Sequence, residues 1–277
     1  MISYKALKRT TKIAMHTMLI IASMTIIFPF LWILRTSFAH RVIAYRIPPE
    51  WFFAPTWDNY YMIFKNHPFH LFFLHSLIVA LFSTAVCLVI GAPAAYSFAR
   101  FRTGGNSVRV SVLTTQMLPA ITLVIPFFLI FNGIGLYNTL SGLAISYITF
   151  NIPFVVWILI GFFEGIPKEL DESAMIDGCT RLGSFLRITI PISLPGMLSA
   201  GVFCFVLSWN EFLFALILTG KASKTLPVAV AALITQQGTE IGAVCAATML
   251  IVTPMILLYF CFRTFLIKGM IAGAVKE

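Results

Sequence analysis

Three adjacent polar or aromatic side chains in an apolar stretch are the first candidates for chemistry. Trp209, Asn210 and Glu211 lie within an apolar run from about 194 to 218. An acid inside hydrocarbon is costly, and such acids are usually retained for a function. A carboxylate and an amide can hydrogen-bond sugar hydroxyls while an indole covers the apolar face of the ring. The sequence equally allows a hydrogen bond from Glu211 to another helix or subunit.

Further polar residues lie in other apolar runs and are weaker candidates for the same substrate path. They are Gln116, Asn132 and Asn151. Polar side chains in membrane helices also hold neighbouring helices together, so each has a structural interpretation beside the functional one.

The segment 164–195 has the pattern of two short amphipathic helices separated by a sharp break. Pro167 suits the first turn of a helix, and Glu169, Asp171 and Glu172 complement the dipole at that end. We predict that Asp177-Gly178 ends this helix, since glycine adopts the left-handed conformation found there.

The second helix is expected to start near Thr180, before Pro191 and Pro195 mark re-entry toward the next span. Ile166, Leu170 and Ala174 recur at spacing four and predict one apolar stripe on the first helix. The module is typical of a docking element for a soluble partner. The alternative is a helix pair lying on lipid, but anionic lipid would repel its acids.

Other chemistries find little support in the sequence. The phosphate-binding pattern G-x-x-x-x-G-K-[ST] does not occur, so ATP chemistry is expected from another polypeptide. His67, His70 and His75 lie near the start of a span without acids beside them, and we interpret them as interfacial residues rather than metal ligands. The five cysteines are scattered and predict no disulfide framework.

Composition shows what must position these residues. The chain of 277 residues is 59% hydrophobic and only 10% charged, with a mean hydropathy of +0.93. Soluble domains carry about a quarter charged residues, so a bilayer is the expected solvent. Six apolar runs are long enough to cross it as helices, which predicts an all-α integral membrane protein. Their approximate bounds are 13–34, 71–98, 110–131, 140–163, 194–218 and 241–263.

The distribution of basic residues predicts the orientation. Most of the 19 Lys and Arg residues lie in the N-terminal flank, the loops after spans two and four, and the tail. The positive-inside rule then puts both termini in the cytoplasm. We expect residues 1–34 to be a cytoplasmic N-terminus and retained first span, 35–70 an outer loop with an interfacial helix near 56–65, 71–263 the transmembrane core, and 264–277 a cytoplasmic tail.

The loop resembles a known family pattern. Glu172-Ser173-Ala174, Asp177-Gly178, Ile188 and Ile190-Pro191 are similar, without gaps, to the EAA loop of binding-protein-dependent ABC importer permeases. Ser173 and Ile190 are mild departures from that pattern. Residues 57–60, 209–216 and 267–276 resemble the carbohydrate-type, maltose-permease-like branch. The similarity covers nearly the whole chain.

The resemblance implies a six-span type I ABC importer permease fold and defined partners. The loop would be a coupling helix seated on an ATPase subunit, through Glu169, Leu170, Glu172, Ser173, Ala174, Met175, Asp177, Gly178 and Arg181. The tail would also contact the ATPase pair, through Lys268, Gly269, Gly273 and Lys276. A second permease, usually different, two ATP-binding cassette subunits holding ATP and Mg, and an extracytoplasmic substrate-binding protein or lipoprotein would complete the importer.

Two other functions stay open from the residues alone. A proton-coupled secondary transporter would use Glu211 as its relay, although six spans are few and no inverted repeat is visible. A membrane scaffold would have no transport role. No feature of the sequence points to nucleic acid as a partner or to an enzymatic reaction by this chain.

Overall fold

The computed structural model describes residues 4–235 and 238–274, with side chains described over 11–112, 114–234 and 240–265. Within these ranges the regular secondary structure is helical apart from one pair of two-residue strands, β1 (Ile234–Thr235) and β2 (Gly238–Thr239), paired antiparallel. The helices are α1 (Tyr4–Ser37), α2 (Arg41–Ala44), α3 (Asp58–Asn66), α4 (Phe69–Phe101), α5 (Gly105–Thr114), α6 (Ala120–Gly133), α7 (Leu140–Glu164), α8 (Lys168–Ile176), α9 (Arg181–Ser184), α10 (Ile190–Trp209), α11 (Leu213–Leu218), α12 (Leu226–Ala231) and α13 (Ile241–Ala274).

Five described helical stretches are long and apolar enough to cross a membrane, and a bent helix pair makes a sixth candidate. The five are Thr11–Ser37, Phe69–Phe101, Leu140–Glu164, Arg181–Trp209 and Ile241–Phe265. The all-α membrane class predicted from composition is therefore confirmed.

The third predicted span is the bent pair rather than one helix over 110–131. Gly105–Met117 and Ala120–Gly133 meet at 90°. Leu118 and Pro119 are both extended at the break. Proline has no N–H to continue the helix and disfavours helical geometry at the residue before it, which explains the bend.

The fifth predicted span, 194–218, also differs from the structure at both ends. The helix that follows the loop runs without interruption from Arg181 through a π turn at Phe185–Thr189 into α10. It is thus one long helix, not a short helix followed by re-entry at Pro191. At its far end α10 stops at Trp209, and α11 restarts at Leu213.

The residues up to Pro68, together with 232–252, form one compact unit. Within it, the buried Asn59 amide donates to the backbone carbonyls of Ser37 at 2.9 Å and Ala39 at 2.8 Å. The Tyr60 hydroxyl donates to Ser37 Oγ at 2.9 Å. Gly242 lies so close to the Asn59 amide that an added Cβ would overlap it. The Asn59 side chain therefore connects the end of α1 to α3.

The second unit comprises residues 69–231 and the chain from Thr253 onward. Its core is the packing of α4, α7 and α10 around small and aliphatic residues such as Ala95, Leu159 and Ala200. Gly91 and Gly196 allow close approach, because a Cβ on either would overlap Val155 or Phe162. Small residues at helix contacts are typical of membrane bundles.

We predict that Asn59→Ala destabilises the protein by about 1–3 kcal/mol, because two buried carbonyls lose their donor. Asn66→Ala in the same helix is the control, since Asn66 is exposed. Thermal unfolding in detergent, followed by intrinsic fluorescence, measures both. Equal unfolding temperatures for the two variants would contradict the anchoring role of Asn59.

Candidate functional site

The loop between α7 and α10 begins with α8, and specific residues determine where this helix starts and where it stops. Pro167 precedes it in an extended conformation, and acids occupy its first turn. Gly178 ends it with φ of +88°, and the Cys179 N–H donates to the Ala174 carbonyl at 2.9 Å. The next helix starts at the predicted position, because the Thr180 hydroxyl accepts from the Gly183 N–H at 3.1 Å.

Asp171 fixes α8 to the rest of the unit. Its Oδ1 accepts hydrogen bonds from the hydroxyls of Ser184 at 2.6 Å and Thr189 at 2.9 Å. Its Oδ2 lies 2.7 Å from Arg100 Nε, at the end of α4, in an ion pair whose side chains are only 8% and 4% exposed. Arg100 Nη1 also donates to the Ile166 carbonyl at 2.8 Å.

The π turn between α9 and α10 makes this arrangement possible. Ser184 and Thr189 are five residues apart, which in an α-helix places side chains about 140° apart around the axis. The wider π turn at Phe185–Thr189 brings positions five apart onto one face. Both hydroxyls therefore reach the same carboxylate oxygen of Asp171.

The charge state of Asp171 follows from these contacts. Burial is the largest influence and opposes ionisation, but hydrogen bonds from Ser184 and Thr189, the charge of Arg100 and a hydrogen bond from Tyr96 together outweigh it. The pKa of Asp171 is consequently below its ordinary value. The carboxylate is ionised at neutral pH and pairs with the Arg100 guanidinium.

The opposite face of α8 is exposed in the part of the chain that the structure describes. The exposed predicted coupling residues on this helix and its end are Glu169, Leu170, Glu172, Ser173, Met175, Asp177 and Gly178. Ile176, which the sequence analysis did not select, is 86% exposed and extends this surface. We call these exposed residues the α8 knob.

Two sequence predictions for the loop need correction. The expected apolar stripe of Ile166, Leu170 and Ala174 does not share one buried face, because Leu170 is 41% exposed. Ala174 points inward at 7% exposure, so it packs within the loop rather than forming the outer surface. Arg181 is exposed, with its guanidinium 4.9 Å from the centre of the Phe101 ring.

Arg100 and Asp171 were not singled out as site residues from the sequence. Asp171 was interpreted only as an acid near a helix start, and Arg100 only as part of the positive-inside pattern. The signal that could have found Asp171 is its helical position, three residues before Ala174 and therefore on the same face of α8. No local pattern relates Arg100 to it.

A cavity of about 480 Å³ lies among α6, α7, α10 and the break that follows it. Gln116, Asn151 and Glu211 line it, as do Tyr147 and Ser208, which the sequence analysis did not select. Phe127, Phe150 and Phe214 supply aromatic surface to the same space. The structure thus brings together three of the six predicted path residues; Asn132, near the end of α6, is exposed and does not line the cavity.

The other two predicted path residues do not line this cavity. Trp209 is buried, stacked on Phe205 with ring centres 5.7 Å apart. Asn210 is exposed and donates to the Val206 carbonyl at 2.9 Å, which satisfies the end of α10. Of the predicted triplet, Glu211 is therefore the only one at the cavity wall.

Glu211 has a structural role that explains why the span breaks there. Its carboxylate accepts the N–H groups of Phe214 at 2.8 Å and Ala215 at 3.0 Å, and so caps the start of α11. Tyr147 of α7 lines the same cavity. The two hydrogen bonds to α11 give Glu211 a contact with another helix of this chain.

Asn151 likewise lines the cavity and also takes part in the packing of neighbouring helices. Its amide donates to Ser208 Oγ at 2.8 Å, and Ser208 Oγ is 3.1 Å from Ser83 Oγ. This chain of hydrogen bonds connects α7, α10 and α4. The Gln116 amide donates to the Phe150 carbonyl at 2.6 Å across the cavity wall.

The tail residues predicted to contact the ATPase pair lie at or beyond the end of the described part of the chain. Lys268, Gly269 and Gly273 lie in the final helical turns of α13, and their side chains lie outside the described residues. Lys276 lies outside the described residues altogether.

Comparison with known proteins agrees with this architecture. Residues 87–272 match the family described as "Binding-protein-dependent transport system inner membrane component". The trehalose transport system permease protein SugB of Mycobacterium tuberculosis is 35% identical, over 90% of this chain and 92% of its own length. The sulfoquinovosyl glycerol transport system permease protein SmoH of Agrobacterium fabrum is 35% identical, over 90% and 89%.

Two further relatives extend the comparison. The inner membrane ABC transporter permease protein YcjP of Escherichia coli is 35% identical over 97% of this chain and 98% of its own. A crystal structure of a bacterial ABC transporter that imports the acidic polysaccharide alginate has the same fold, with a TM-score of 0.81 at 19% identity over 94% of this chain and 98% of that one.

The chain belongs to the family of binding-protein-dependent transport system inner membrane components. It is a multi-pass inner-membrane permease subunit of an ABC transporter, and its role is transport rather than enzymatic catalysis. The EAA-type resemblance seen in the sequence is confirmed at the level of the family. ABC transporter partners follow from that membership.

We predict that Asp171→Ala lowers the free energy of unfolding by about 3–5 kcal/mol, because it leaves the buried Arg100 charge unpaired. Glu169→Ala, at an exposed acid of the same helix, is the control and should change it by less than about 0.5 kcal/mol. Denaturant or thermal unfolding of purified protein measures both. Equal effects would contradict the anchoring role of Asp171.

Acidification should also weaken this contact. The pKa of Asp171 is lower in the folded protein than the value of about 4 that an aspartate has in an unfolded chain. Asp171 therefore stabilises the fold fully at pH values above about 4, and this stabilisation is lost as the pH falls through the folded-state pKa. We therefore expect the stability difference between wild type and Asp171→Asn to shrink below about pH 4. A constant difference over this range, in unfolding measured at stepped pH, would contradict it.

Proposed function

We propose that this permease forms, with a second and different permease chain, the path through which an ABC importer takes up a carbohydrate. The observation that carries the proposal is the α8 knob, a short exposed helix held to the unit core by the buried Arg100–Asp171 pair. A rigid element of this kind transmits displacement from a partner to the ends of α4 and α10.

The partners of the proposal follow from the ABC family. Two ATP-binding cassette subunits would bind ATP and Mg, none of which this chain would hold, and one would receive the α8 knob. A substrate-binding protein or lipoprotein would deliver the solute from outside. Both termini and α8 would lie in the cytoplasm, as the distribution of Lys and Arg indicates. Membrane lipid surrounds the chain, and nucleic acid has no part.

The carbohydrate class rests on the relatives and on the cavity. Relatives are named for trehalose and for sulfoquinovosyl glycerol transport. Amide, hydroxyl and carboxylate groups with aromatic surface line the 480 Å³ cavity, a composition suited to sugar hydroxyls and apolar sugar faces. The same cavity would accept a polyol or glycerol phosphate of similar size.

The proton-relay alternative for Glu211 has less support. Both side-chain oxygens of Glu211 accept backbone N–H groups of α11, so this side chain has a structural role as a helix cap. ATP depletion should abolish uptake in cells, and a protonophore alone should not. A scaffold without a transport role predicts no substrate-stimulated ATPase activity in the purified complex.

The coupling proposal is tested by Gly178→Asp, which should abolish ATP-dependent uptake while membrane insertion stays intact. Gly135→Asp is a matched control, because both glycines have positive φ, +88° and +75°, and nothing within 4 Å of an added Cβ. The backbone strain is alike, but only Gly178 belongs to the knob. Uptake of labelled sugar and membrane content measure the two effects. Full transport by Gly178→Asp would refute the coupling role.

The path proposal is tested by Gln116→Ala, which should reduce sugar-stimulated ATPase activity about tenfold through loss of a hydrogen-bonding group in the cavity. Thr122→Ala on α6 is the control, since Thr122 is exposed and does not line the cavity. Basal ATPase activity should be unchanged in both. An unchanged response over a sugar panel would contradict the assignment.

A further inference from the structure

A second cavity of about 620 Å³ opens at the end of the bundle that carries α8. It lies between the end of α4, the start of α5, the end of α7 and the first residue of α8. The polar residues that line it are Arg102, Asn106, Arg109, Glu164 and Lys168, and Phe98 and Ala99 supply an apolar wall. The sugar path does not include it.

The cavity carries an excess of positive charge. Arg109 Nη1 lies 2.6 Å from Glu164 Oε1, and this pair is about one-third exposed. Arg102 and Lys168 are exposed and have no ion pair within the part of the chain that the structure describes. Three cations therefore face one carboxylate, which leaves two positive charges without a counterion.

The backbone fixes the positions from which these cations reach the cavity. Arg102 has φ of +49°, and the Gly105 N–H donates to its carbonyl at 2.8 Å in a tight turn. Gly104 and Gly105, both with positive φ, complete the turn. Lys168 is the first residue of α8. Like charges repel, so cations that line one cavity are stabilised when an anion occupies the space between them.

The position selects the class of anion. The cavity lies where α4 and α7 end, and helices of their length end outside the hydrocarbon core of a bilayer, in its polar region or just beyond it. Arginine and lysine recognise phosphate oxygens, and basic pockets between membrane helices accept anionic headgroups. The apolar wall at Phe98 and Ala99 suits the glycerol and first methylenes of a lipid.

We propose that this cavity binds the phosphate headgroup of an anionic membrane lipid. Bound there, the lipid connects the turn after α4 with the first residue of α8 and braces the base of the α8 knob. This site is separate from the carbohydrate path, and its existence does not depend on which solute the importer carries.

The test uses the complete transporter complex in nanodiscs of phosphatidylcholine with a small fraction of phosphatidylglycerol. Native mass spectrometry counts the phosphatidylglycerol molecules retained per permease. We expect Arg102→Gln/Lys168→Gln to weaken retention at least about tenfold. The control Lys65→Gln/Lys221→Gln removes two exposed cations outside the cavity and should leave retention unchanged.

A charge-preserving variant distinguishes loss of lipid binding from misfolding of the substituted protein. Arg102→Lys/Lys168→Arg should retain the lipid within about threefold of wild type. Both cations are kept, and the attraction of an anionic headgroup depends mainly on the number of positive charges. Wild-type retention by the Gln double variant would overturn the proposal. So would full displacement by inorganic phosphate, which would indicate a free-anion site, or lipid loss on assembly with the ATPase subunits, which would indicate a protein-docking site.

Discussion

The contact between Asp171 and Arg100 is the constraint on which the coupling architecture depends. A carboxylate and a guanidinium at 8% and 4% exposure are too costly to bury apart, so α8 and the end of α4 must stay together. Ser184 and Thr189 add the start of the α9–α10 helix to the same point. One buried charge pair thus joins three helices at the base of the exposed knob.

This arrangement explains how a nine-residue helix can keep a fixed position. An isolated helix of that length is not stable in water. Here its ends are fixed by Pro167 and Gly178, and its inner face is held by Asp171 and Ala174. The helix that begins at Arg181 then continues through the π turn into α10 without a break, so the loop that carries α8 is continuous with a long apolar helix.

Much of the fold was predictable from the length of the apolar runs and the positions of glycine and proline. The membrane class, four of the six predicted spans and the break at Asp177-Gly178 follow from run length and glycine placement. Two span predictions failed because the hydropathy of a run does not show whether the helix bends or breaks within it. Pro119 turns the chain by 90° within an apolar run, and Glu211 caps a new helix after Trp209 where composition alone suggested continuity. The loop's EAA-type pattern predicted α8 and its end, but not the ion pair that holds α8 in place. Arg100 lies 71 positions before Asp171, and only tertiary folding brings the two charges together.

Our proposal requires that the α8 knob receives a separate ATPase subunit. Photo-crosslinking in the assembled transporter tests this, from a benzophenone amino acid placed at Ser173, with Ser141 at the start of α7 as an exposed control. We expect an adduct with the ATPase subunit from position 173 and none from position 141. No adduct from position 173, or equal capture from both positions, would refute docking at the α8 knob.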